Sequence, residues 1–141
     1  MRLRWLLVCG MLFGITLKLQ AQELHFPVQI IERIDNVEIV AFIEKSDMGE
    51  AAIWNPSKAA PPLSVSGAVG ALNKHYQQHT IDSGKFTITE IVLRQIPAHQ
   101  HHWYYLIKVK SVLNDQTKQH YYVVTMGGRV IPAIVEPLPL K

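Results

Sequence analysis

The sequence predicts an α+β fold in which one principal helix packs on an antiparallel β-sheet. Five stretches rich in Val, Ile, Phe and Tyr are separated by short polar or glycine-bearing segments, the composition of strands joined by hairpins. Only one stretch combines helical spacing with a capping serine. The expected working part, residues 22–141, is 120 residues long, a length that suits one domain with its own core.

The first 21 residues, MRLRWLLVCGMLFGITLKLQA, stand apart from the rest. Arg2 and Arg4 precede a nearly unbroken apolar run from Trp5 to Leu17, and Leu19-Gln20-Ala21 puts a small residue at a cleavage position. That layout reads as a secretory signal peptide. Its run of 13 residues falls short of the roughly 20 that a membrane-spanning helix needs. The expectation is an exported protein, periplasmic or secreted, with no membrane span after signal removal. Cys9 lies inside the apolar run behind Val8, where lipidation wants a small residue, and reads as part of the leader. The rest of the chain has no cysteine, which excludes disulfides, thiol nucleophiles and thiolate metal ligands.

The leader also decides the charge. The whole chain carries 14 Lys+Arg against 11 Asp+Glu, and Arg2, Arg4 and Lys18 leave with the leader, so 11 of each remain. A domain of zero formal charge is not built for nucleic acid or an anionic surface.

Val28–Ile34 and Val37–Ile43 read as strands around Asp35-Asn36, a pair that tolerates the positive φ of a tight hairpin turn. Val37, Ile39, Ala41 and Ile43 alternate cleanly; the first stretch does so less, leaving a short helix as its alternative. Ser46 to Pro62 is a connector punctuated by Gly49, Pro56 and Pro61-Pro62, with Ala51 to Trp54 as a brief strand. Ser64 then caps the helix, Leu63 staples against Ala68, and Val65, Ala68, Val69, Leu72 and Tyr76 form its apolar stripe. Gly67 and Gly70 each cost about 1 kcal/mol relative to Ala, and their size would let the helix sit close on a sheet. Asp82-Ser83-Gly84 ends the pattern. Phe86–Ile96, Trp103–Val112 and His120–Met126 are the remaining long strands, followed by Gly127-Gly128 and a short final strand, Arg129 to Val135. In the middle one, Trp103, Tyr105, Ile107 and Val109 share a face opposite Tyr104, Leu106, Lys108 and Lys110, as in a sheet with one packed and one partly wet face. Asn114 to Lys118 reads as a polar hairpin loop.

Pro62-Leu63-Ser64 with Ala68, the strand Trp103-Tyr104-Tyr105-Leu106-Ile107-Lys108-Val109, and Tyr121-Tyr122-Val123-Val124 leading to Gly128-Arg129-Val130 resemble the PepSY-like group of small exported bacterial domains. More loosely they resemble the cystatin-like arrangement of a helix on an antiparallel sheet. The resemblance covers roughly residues 63–134, with Thr125-Met126 where the pattern usually carries an acidic residue. It implies a module that binds or restrains peptidases, or an envelope-associated module.

Catalytic patterns are missing. No Gly-x-Ser-x-Gly elbow occurs, and Ser64, Ser66 and Ser83 have capping or turn roles. The carboxylates between Glu32 and Asp47 read as solvated surface. Histidine is the one enriched titratable type, with seven in the chain. His99 and His101 point the same way in an extended segment, and His75 and His79 lie one helical turn apart. Convergence of the two pairs would make a four-His site, and with it a metal-binding protein or small metal-dependent enzyme. The preferred expectation is a non-enzymatic binding module without a cofactor, whose partner is a protein or peptide. Its surface is an exposed aromatic platform on the Tyr-rich hairpin, made by Tyr104 with Tyr121 or Tyr122, together with the neighbouring His99 to His102 tip. The binding residues expected are Tyr104, Tyr122, His99 and His101.

Overall fold

A computed structural model describes residues 24–50, 53–79 and 85–139; the expected signal peptide lies outside the described residues. Strand β1 (Val28–Ile34) and strand β2 (Val37–Ile43) form an antiparallel hairpin. Asp35 and Asn36 both take positive φ, 52° and 64°, the paired left-handed conformation of a type I′ turn. A short helix α1 (Lys45–Met48) follows; Glu44 and Asp47 form its capping box. Helix α2 (Val65–His79) comes next, and Ser64 Oγ accepts the Gly67 amide at 3.0 Å, as its cap position requires.

Strands β3 (Phe86–Gln95), β4 (Trp103–Leu113), β5 (Gln116–Thr125) and β6 (Val130–Pro132) make a four-stranded antiparallel sheet in chain order. Asn114 and Asp115 alone make the β4–β5 turn, again with positive φ, so Gln116 to Lys118 belong to strand rather than loop. The chain then changes sheets at Ala133. Strand β7 (Ile134–Pro137) pairs with β2, giving a second sheet in the order β1-β2-β7.

This second sheet overturns the expected fold class. Half of the described residues are strand (50%) against 17% helix, and the molecule is mostly antiparallel β in two sheets, with only short helices. The physical reason lies in the two faces of β4 and β5. One face supplies Tyr104, Leu106, Tyr121 and Val123 to a core completed by Val28, Ile30, Ile39, Ala41 and Ile43 of the first hairpin. The other supplies Tyr105, Ile107, Val109 and Val124 to a core completed by Ala68 and Leu72 of α2. The four-stranded sheet is thus buried on both sides, where one wet face was expected. The final strand, expected as one piece, is split so that each sheet receives part of it.

Smaller corrections follow from the same packing. Gly70 has nothing within 4 Å, and Gly67 lies under the side chain of Leu63, so neither glycine brings α2 close to the sheet; Ala68 and Leu72 make that approach. Val65, assigned to the apolar stripe, is exposed. Among the described residues no helix is long and apolar enough to cross a membrane.

Candidate functional site

Tyr104 does not form a platform. It is 1% exposed, lying in the core shared with the first hairpin, and its hydroxyl donates to Glu32 Oε1 at 2.9 Å. Burial, then the bond to Glu32, raises its pKa well above the usual tyrosine range. Tyr121 is on the same face and equally buried; its hydroxyl donates to Asp35 Oδ2 at 2.9 Å. Tyr122 is opposite Ile107 and therefore on the helix-covered face. It donates to the Tyr76 hydroxyl at 3.1 Å and meets the His75 ring edge-on at 5.8 Å. The register of β4 and β5 thus places the two candidate tyrosines, Tyr104 on β4 and Tyr122 on β5, on opposite sides of the sheet, beneath different layers.

The carboxylates expected to be solvated instead fasten the layers together. Glu32 takes the Tyr104 hydroxyl and lies 3.6 Å from Arg94 Nε. Asp35 takes both Tyr121 and the Lys108 ammonium; those two bonds hold its carboxyl below the usual range. Asp47 lies 3.3 Å from Arg129 Nε, and its carbonyl accepts the buried Thr125 hydroxyl at 2.7 Å. Each joins the first hairpin or α1 to the four-stranded sheet or the turn after it.

The histidines fall into two separate groups. His75 and His79 stack with ring centroids 4.4 Å apart and 18° between planes, while His79 Nδ1 donates to the His75 carbonyl at 3.0 Å. Near-parallel stacking sets the in-plane lone pairs side by side rather than converging them on one ion. Burial, with His79 and Arg129 nearby, lowers the His75 pKa. His99 and His101 belong to the turn between β3 and β4, where Ala98 and His101 adopt positive φ. His101 is exposed and His99 partly buried. Next to this tip, Ile53 bridges His102 and is 69% exposed, and Trp54 meets Trp103 edge-on at 5.3 Å. The proposed four-His convergence does not form: among the described residues no three His, Cys, Asp or Glu side chains gather as a metal-binding group.

The surface with binding character is elsewhere, on the outer face of the β1-β2-β7 sheet. Ile30, Ile39, Ala41 and Ile43 point into the core, so alternate residues point out. Ile31, Val40 and Ile134 are then cross-strand neighbours in one outward row. Phe42, opposite Gln29, adds an aromatic ring beside that row. Ile31, Phe42 and Ile134 are 50%, 43% and 55% exposed. The next outward row is Arg33, Glu38 and Glu136. Glu38 is bonded to Arg33 at 3.1 Å, yet it also stands directly opposite Glu136, a like-charge cross-strand pair that costs stability. An apolar cluster rimmed by excess acid is what this face presents.

Sequence reasoning missed Ile31, Phe42 and Ile134 because it assigned the hairpin to a single sheet. The available sign was adjacency: Ile30-Ile31 and Val40-Ala41-Phe42-Ile43 are consecutive apolar residues, which alternation must place on both faces of their strands.

Fold and surface together define a three-layer, β-rich module in which, among the described residues, nothing covers one apolar sheet face. No family model matches the chain, and neither does any curated protein or solved structure with which it was compared.

Proposed function

We propose that this protein is a non-enzymatic binding module, working outside the cytoplasm, whose outer sheet face docks a protein partner. The observation that carries the reading is the row Ile31, Val40 and Ile134 with Phe42 beside it. Contiguous exposed apolar side chains rimmed by charge are the mark of an interaction surface. The Glu38–Glu136 opposition gives the partner its chemistry: an apolar centre with a basic group at its border, which would relieve the acid pair. A peptidase or an envelope protein with such a patch is the partner class that fits.

The test is capture from envelope extract by wild-type protein and by Phe42→Asp and Glu136→Lys. A specific partner should be lost with Phe42→Asp, and its retention should fall with salt for the wild type and be weakened by Glu136→Lys, while both variants keep the wild-type melting temperature within a few degrees. Capture unaffected by either substitution would remove this face from the function. His99 and His101 mark the second surface to examine in that event, because Ile53 beside them is the most exposed large apolar residue described.

A further inference from the structure

We infer that β1 pairs with β1 of a second copy of this chain, joining two three-stranded sheets into one of six strands across a two-fold axis. Sheet edges invite pairing, and proteins usually blunt them with prolines, charges, bulges or short strands. Three of the four edges here are treated in that way. Strand β6 is three residues long and ends on Pro132, and β7 is four residues with Glu136 and Pro137. Strand β3 carries a register irregularity between Ile88 and Glu90. Strand β1 is neither short nor bulged: its seven residues, VQIIERI, contain no proline or lysine and pair regularly with β2 throughout. Its two charges, Glu32 and Arg33, are already paired with Arg94 and Glu38 of the same subunit. Among the described residues no strand lies on its outer edge.

The sequence of β1 also fits itself. In a hairpin closed by two residues, the flanking pair, here Ile34 and Val37, is hydrogen-bonded, and the pattern alternates from there. Gln29, Ile31 and Arg33 therefore aim their amides and carbonyls at the free edge. The strand's centre is Ile31, and antiparallel self-pairing about Ile31 brings Ile31 opposite Ile31 and Gln29 opposite Arg33 of the other copy. These are the residues with unspent backbone groups, and the overlap covers all seven positions. No like charges meet in this register. The Gln29 amide oxygen faces a guanidinium whose Nε alone is used by Glu38, leaving donors to spare. Glu32, the one inward charge on the strand, is held within its own subunit by Tyr104 and Arg94. On the outer side the rows Ile31-Val40-Ile134 of both copies would run together as one apolar stripe across the joint.

The register makes a sharp test, because position 31 meets only itself. Sedimentation of purified protein at about 100 μM should show a dimer. Ile31→Lys and Ile31→Glu should each be monomeric, with the melting temperature of dilute wild-type protein since the side chain is exposed, and a one-to-one mixture of the two should dimerise. In the unsubstituted protein, exchange of the Gln29, Ile31 and Arg33 amides should slow at least tenfold between dilute and concentrated solution. A monomeric wild type, a dimer that survives Ile31→Lys, a mixture that stays monomeric, or edge amides that exchange equally fast at both concentrations would each overturn the inference. Self-association is read on purified protein alone, so it succeeds or fails separately from capture of another partner.

Discussion

Tyr104 shows how much a single residue's meaning depends on what lies above it. Read along β4 it alternates onto the face that ends in Lys108 and Lys110, and so looks like a surface aromatic. In the structure the first hairpin covers it, and even Lys108 on that face is drawn to Asp35. Replacing Tyr104 by Ala should cost about 3–5 kcal/mol, the range for removing a large buried ring, where an exposed platform would have cost little. Tyr104→Phe should cost about 1–3 kcal/mol, because the ring stays and Glu32 loses a donor. Urea midpoints of the two variants separate the packing contribution from the hydrogen bond. Gly127 is a second position with a definite cost. A Cβ there would lie 2.8 Å from the Met48 carbonyl oxygen, a backbone atom that cannot swing aside as a side chain would, so Gly127→Ala should destabilise the junction between α1 and the β5–β6 turn.

The elements were legible in the sequence wherever local chemistry decides them. Asp35-Asn36 is a turn pair by composition and a turn in the structure, Ser64 caps the helix whose stripe follows it, and the hairpin turn expected within Asn114 to Lys118 is there but confined to Asn114-Asp115. Layering was not legible, because a strand with apolar residues on both faces does not say which element will cover each one. Ala133 shows the limit most clearly: nothing in Arg129 to Val135 marks the point where the chain leaves one sheet for the other. The two helix glycines, which look equivalent in sequence, are separated by their surroundings. Gly70→Ala should stabilise the protein by about 0.5–1 kcal/mol, since the site is open and only helix propensity changes. Gly67→Ala should gain less or nothing, because Leu63 Cδ1 sits 2.8 Å from the new Cβ and must move. Thermal melts of the two variants side by side would check the asymmetry.

For the whole molecule, the polar bonds between layers set the pH limits. The Asp35 carboxyl is lowered by Lys108 and Tyr121, so the folded form binds that proton less readily than the unfolded chain. Its contribution is present above pH 3.8 and is lost as pH falls through the lowered value. His75, His102 and His120 are each lowered, chiefly by burial, so stability should already decline as pH drops below 6.5. At the alkaline end Tyr121 is pushed up to about 12 by burial and Asp35. The unfolded chain loses that proton first, and stability should fall between pH 10 and 12. A melting-temperature profile should therefore slope down on both sides, and Tyr121→Phe should flatten part of the alkaline limb. An unchanged alkaline limb in that variant would show that Tyr121 is not among the groups responsible.

The crossing at Ala133 also has a temporal consequence. The β1–β2 hairpin acquires its third strand only from Ile134 to Pro137, about a hundred residues later in the chain. Pairings so distant in sequence carry a large loop-closure cost and slow folding. A chain ending at Pro132 would hold its first hairpin with one side of β2 unpaired, and should be cleaved there by protease far faster than the full chain. The outer sheet therefore stays open until Ile134 to Pro137 has been made, although its first two strands are made early.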